Sequence, residues 1–146
     1  MKFSFSTASL SLLLGSISAL SQSIRIGFPS DGASVHAGSK LTVEVDRPDT
    51  LTGSTEVAVV IALNSCHNTT CIPPKDILGS ILYNGPYNPQ FQSTAPPSKP
   101  PHQNFTVTIP SAIGKGRAQL AVFHVSLVGA GPEPITEIKN VTLNVL

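Results

Sequence analysis

Beyond residue 21 the apolar residues of this chain tend to fall at every second position, in short runs separated by turns rich in Gly and Pro. No run sustains the three-and-four spacing of an amphipathic helix. A two-residue period means strands with one face in and one face out. Ile24, Ile26 and Phe28 alternate with Arg25 and Gly27 before a Pro29-Ser30-Asp31-Gly32 turn, and Leu41, Val43 and Val45 alternate with Thr42, Glu44 and Asp46. The nearly continuous apolar run 56–63 predicts a strand covered on both faces. Further strands are predicted at 77–83, 105–109, 118–128 and 136–145, the last with Val141, Leu143 and Val145 inward. About seven short strands joined by Gly/Pro turns predict one all-β domain over 22–146, an immunoglobulin-like β-sandwich. The chain has two Cys and no Trp, so the likeness is one of architecture and not of the buried Cys-Trp-Cys core.

The first 21 residues read differently. Lys2, an apolar stretch centred on Leu12-Leu13-Leu14 and small residues at Ala19 and Ser21 predict a secretory signal peptide cleaved between Ser21 and Gln22. Ser and Gly interrupt that stretch, which argues against a membrane anchor. The alternating carboxyl end likewise gives no lipid-anchor signal. Losing Lys2 leaves eight basic and eight acidic side chains. A neutral domain with 12% charged residues offers nucleic acid no electrostatic footprint. The expected location is therefore secreted and extracellular.

An oxidising route would join Cys66 to Cys71. So small a ring contributes about 2 kcal/mol, enough to pin a loop and too little to hold the fold. A metal pair with His67 is the rival reading, but zinc wants three or four ligands, and His36, His102 and His124 are scattered. No metal site or cofactor is expected. Three sequons, at Asn68, Asn104 and Asn140, predict N-glycosylation. Those at Asn104 and Asn140 fall on the outward parity of their strands.

Candidate chemistry is sparse. Glu44 and Asp46 share a strand face as paired acids of a glycosidase would, but polar residues on the solvent side of a half-buried strand account for them. Asp31 and Asp49 sit in turns, where local hydrogen bonding suffices. His124 lies in an apolar strand without a nucleophile or orienting acid nearby in sequence, and reads as a buried or interface histidine. Gly129-Ala130-Gly131 precedes prolines rather than a helix, and is a turn. No catalytic residue is expected, and the chain reads as a non-enzyme.

The segment 84–101 holds six of the 13 prolines, a length that is uncommon in a compact domain unless the loop matters. Tyr83, Tyr87 and Phe91 open it. They read either as rings folded back over the end of the sandwich or as a candidate partner surface of rigid aromatic anchors.

Four segments carry a resemblance to a known family: Val57-Ala58-Val59-Val60-Ile61; Leu78-Gly79-Ser80-Ile81-Leu82-Tyr83-Asn84-Gly85-Pro86-Tyr87; Gln103-Asn104-Phe105-Thr106-Val107-Thr108-Ile109-Pro110; and Leu127-Val128-Gly129-Ala130-Gly131-Pro132, followed by Asn140-Val141-Thr142. In this order they resemble the fungal necrosis-inducing secreted protein family, with 66–74 as an insertion. The resemblance implies a secreted fungal effector that binds a host protein, damps plant pattern-triggered immunity through receptor-associated kinases and can provoke cell death. The opening segment, through Pro29, Gly32, Val35 and Gly38, also looks like the start of fungal cell-wall modules, whose partner would be wall glucan. Few Tyr and no Trp count against that alternative.

Overall fold

The computed structural model describes residues 23–48, 53–67 and 69–146. The leader, the cleavage position at Ser21 and Gln22, Asp49 and the sequon residue Asn68 lie outside the described residues. The described chain is all strand and turn. In order the strands are β1 (Arg25–Phe28), β2 (Ala33–Val35), β3 (Lys40–Asp46), β4 (Ser54–Ser65), β5 (Ser80–Pro86), β6 (His102–Thr108), β7 (Gly116–Val128) and β8 (Glu133–Val145). They form a three-stranded sheet, β1-β3-β6, and a five-stranded sheet, β2-β8-β7-β4-β5.

The two layers pack through the faces that the alternation marks. Val43 and Val45 of β3 and Phe105 and Val107 of β6 meet Val59, Ile61 and Leu63 of β4, Leu120 and Val122 of β7, and Leu143 and Val145 of β8. A sandwich of the expected kind results.

Five local expectations are corrected. There are eight strands, because the opening segment divides: β1 pairs with β3, while β2 crosses over and pairs parallel with β8. β2 is three residues long and carries no readable alternation. Asp31 does more than make its own turn at this crossing. Its carboxylate accepts from the Thr142 backbone N–H at 2.6 Å, and the Gly32 N–H donates to the Thr142 carbonyl at 2.7 Å. Phe28 does not continue the inward row, since the β1/β3 register shifts between Ile26 and Phe28 and leaves its ring 49% exposed. β5 starts at Ser80 because 73–77 form a turn in which the Asp76 and Ile77 N–H groups both donate to the Pro73 carbonyl. Finally, the other sheet covers one face of β4 only. Val59, Ile61 and Leu63 are buried against it, while Ala58 and Val60, on the opposite face, keep partial exposure.

Candidate functional site

The proline-rich strap, residues 87–101, leaves β5 and returns at β6. Tyr87 is not on its surface. The side chain turns into the sandwich, is 2% exposed, and donates from Oη to the Val45 carbonyl at 3.1 Å. Tyr83 faces the same core, opposite Ile61, with its ring 4.6 Å from that of Phe105 and its hydroxyl donating to the Pro86 carbonyl. Of the two readings, that of rings folded back over the sandwich describes Tyr83 and Tyr87, and the candidate partner surface of three rings is corrected to Phe91, which is 67% exposed. Tyr87 belongs to the core because the chain reverses at the end of β5, where an aromatic ring fills the gap between the sheets and its hydroxyl finds a partner.

The strap is held at its far end as well. Lys99 Nζ lies 2.5 Å from Glu44 Oε1 and 3.0 Å from Asp46 Oδ1, and the hydrogen bond to Glu44 leads the effects that raise the lysine pKa. Glu44 and Asp46 do share a face, but the strap covers it, and Asp46 is 8% exposed. Gly27 makes the arrangement possible: a β-carbon there would lie 2.3 Å from Glu44 Oε1 and 2.9 Å from Asp46 Oδ1. Between Tyr87 and Lys99 the strap presents Phe91 outward.

Cys66 and Cys71 are disulfide-bonded, with Cα atoms 4.5 Å apart. The ring caps the end of β4, where the Cys66 N–H donates to the Arg117 carbonyl at 2.9 Å. His67 adopts a positive φ of 46° within it. Gly79 closes the connection at a φ of 85°, so near β4 that a β-carbon would lie 2.5 Å from the Leu63 carbonyl oxygen. Ile72 and Ile77 stand exposed on this connection, and Ile81 follows at 62% exposure.

Below the strap lies a cluster that the sequence reading does not anticipate. His124 is fully buried, with Nε2 2.5 Å from Glu56 Oε2 and Nδ1 3.1 Å from Glu137 Oε1. The Tyr87 ring stands edge-on to the imidazole at 5.4 Å. Arg47 donates from Nε to Glu56 Oε1 at 2.7 Å and from Nη2 to Ser54 Oγ at 2.8 Å. Glu137 also accepts from Ser23 Oγ and from the Ile24 N–H at 2.8 Å, so it ties the start of the described chain to β8. Each inward position has a cause. His124 has the parity of Leu120 and Val122, and Glu137 that of Val141 and Leu143. Glu56 is turned inward by a bulge: the β4/β7 register shifts between Glu56 and Ala58, which takes Val57 out of the inward row.

The electrostatics follow from the geometry. Burial works against the charged forms of both glutamates, but hydrogen bonds from His124 reverse it. Arg47 and Ser54 add to the effect at Glu56, and Ser23 and the Ile24 N–H add to it at Glu137. Both carboxyls are lowered to about 2. Burial also opposes the imidazolium, and the carboxylates outweigh it, so the His124 pKa is raised. Neutral imidazole has one N–H, whereas here both nitrogens face carboxylate oxygens, and the charged form satisfies both. Burial and the Glu56 charge push the Tyr87 phenol up. A cleft of about 510 Å³ opens beside the cluster, lined by Arg47, Glu56, Tyr87, Asn88 and Pro101 among others.

The Nis1 family model matches residues 20–144, nearly the whole chain. The chain belongs to the Nis1 family. This family is fungal and effector-like, which bears out the resemblance at that coarser level. No curated protein matches the sequence. In this Nis1-family fold the expected disulfide is present, and Asn104 and Asn140 are exposed on outward strand faces. The His124 cluster was missed because its members are brought together by strand register and a bulge. The available signal was parity: a histidine and a glutamate each on the inward row of its strand.

Proposed function

We propose that this chain is a secreted effector that acts by binding a host protein, damping plant pattern-triggered immunity through receptor-associated kinases, and that it works without making or breaking bonds. Family membership carries the reading. Two features of the fold support it. The segments that depart most from the strand plan, the strap and the cystine-closed connection, display Phe91, Ile72 and Ile77 to solvent, as apolar anchors in a protein interface are displayed before binding. The buried acid and imidazole cluster around His124 is spent on structure, since both nitrogens of His124 are held by carboxylates. The disulfide fits an oxidising secretory route. The glucan-binding alternative loses support, because Tyr83 and Tyr87 are turned into the fold and offer no stacking platform.

The test is the oxidative burst that a microbial pattern elicits in leaf tissue. Tissue producing this protein should show a reduced burst, and the protein should bind the kinase domain of a receptor-associated kinase in purified form. An undiminished burst together with retention on insoluble β-glucan would overturn the proposal.

A further inference from the structure

The strap carries a repeat that the docking role of its exposed ring does not use. Thr94-Ala95-Pro96-Pro97 is followed at once by Ser98-Lys99-Pro100-Pro101, so a hydroxyl residue with a proline pair closing its tetrapeptide is written twice. The chain has one other Pro-Pro pair, Pro73-Pro74, and there the hydroxyl position is taken by Cys71, which is joined to Cys66.

The fold gives both copies the same shape. The Ala95 N–H donates to the Gln92 carbonyl at 3.0 Å, and the Lys99 N–H to the Pro96 carbonyl at 2.8 Å. Two β-turns therefore stand in succession, and Thr94 and Ser98 occupy the same corner of each, the third residue. Both are exposed, and neither hydroxyl makes a hydrogen bond to the described residues. A Ser or Thr in a turn readily bonds its hydroxyl to nearby backbone, whereas these two leave theirs to solvent. Beyond each corner the prolines fix their own φ and hold the residue before them extended. Each hydroxyl is thus followed by a stiff, extended arm that is part of no strand ladder, and Lys99 ties the second arm to Glu44 and Asp46. A transferase that lays an extended acceptor along its cleft meets this one already extended, with little conformational freedom left to lose.

We propose that the two proline frames mark Thr94 and Ser98 as O-glycosylation sites, each carrying a hexose on its side-chain oxygen. The inference rests on the reading that the chain is secreted, the route on which segments rich in Ser, Thr and Pro acquire O-linked sugar. In the attachment step the side-chain oxygen bonds to the anomeric carbon of a sugar donor activated through phosphate. The bond from that carbon to the phosphate oxygen breaks, and the hydroxyl proton leaves with the departing phosphate. Two observations favour sugar over phosphate as the modification: neither hydroxyl residue directly precedes a proline, so a proline-directed kinase has no site, and the disulfide fits an oxidising route. The sites divide the strap. Gln90, Phe91 and Gln92 offer no hydroxyl, so the exposed ring stays bare while the half beyond it carries the sugar.

The experiment uses the full chain expressed in a fungal secretory host, recovered from the medium and freed enzymatically of N-linked glycans. Intact mass is measured for the wild type, for Thr94→Val with Ser98→Ala, and for Pro96→Ala with Pro100→Ala. Fragmentation that preserves sugar linkages then locates the modification. The wild type should exceed the mass of its processed polypeptide by whole hexose increments, located at Thr94 and Ser98 and not at Ser93, which is also exposed but lies one residue out of the frame. The first variant should lose the whole increment. The second keeps both hydroxyls and should lose most of it. A secreted wild type with the mass of its bare polypeptide overturns the proposal and leaves the secretory reading standing. A phosphate increment, a hexose that survives in the first variant, or a hexose undiminished in the second overturns it as well. A chain that never reaches the medium removes the secretory reading, and this inference with it.

Discussion

Replacing His124 with leucine should be among the most destabilising single changes in the molecule. Leucine fills much of the same volume, so the cost comes from leaving two largely buried carboxylates facing an apolar group. Breaking a buried pair by removing one partner costs about 3–5 kcal/mol. The lower end applies here, because Glu56 keeps Arg47 and Ser54, and Glu137 keeps Ser23 and the Ile24 N–H. A loss of about 3 kcal/mol lowers Tm by roughly 12 °C at the unfolding entropy of a domain this size. The assay is thermal and urea unfolding followed by circular dichroism, repeated across pH. In the wild type the His124 contribution is complete below its ordinary value of 6.5 and drains away as pH rises through the raised folded value. The two glutamates behave in the opposite sense: their contribution is complete above 4.5 and drains as pH falls toward about 2. Stability should therefore peak between these limits, in mildly acid solution, and His124→Leu should abolish its fall on the alkaline side. Adding Glu137→Gln to His124→Leu should recover part of the loss, a coupling that a double-mutant cycle reads directly. A His124→Leu protein within about 3 °C of the wild type, with an unchanged pH profile, would refute this reasoning.

Three further outcomes are expected. Tyr87→Ala should cost about 3–5 kcal/mol, the range for emptying a buried aromatic site, whereas Phe91→Ala should leave Tm unchanged; equal effects in denaturant titrations would put the two rings in the same environment. Gly27→Val should loosen the strap, because any side chain there collides with Glu44 and Asp46, and limited proteolysis should then cut within 88–98 before the sandwich unfolds. Cys66→Ser with Cys71→Ser should lower stability by about 2 kcal/mol and leave the two-sheet β signature of the circular dichroism spectrum intact.

The elements that the sequence revealed are those whose parity runs unbroken. β3, β6 and the second half of β8 alternate without a bulge, and their inward residues are the core. β2 escaped because three residues cannot display a period, and because its reason for being a strand is the Asp31 and Gly32 contact with Thr142, more than a hundred residues away. Tyr87 and Phe91 were indistinguishable by composition. Only the return of the chain toward His102 decides that one ring enters the core while the other points to solvent. Glu56 shows the limit most plainly: strict alternation makes it outward and Val57 inward, and one extra residue in β4 exchanges them. His124 and Glu137 were legible as inward residues, but their meeting needed the β7/β8 register, which no local pattern states.

The claim at the centre of the account is recognition by surface contact through the strap and the cystine-closed connection. Its most direct test is the affinity of the domain for a receptor-associated kinase domain, measured by calorimetry beside the variant Phe91→Ala with Ile77→Ala. The account predicts binding that weakens at least about tenfold in the variant, as expected when two anchors worth roughly 1 kcal/mol each are removed, with Tm unchanged. Equal affinities for the two proteins, or no binding by the wild type, would contradict it.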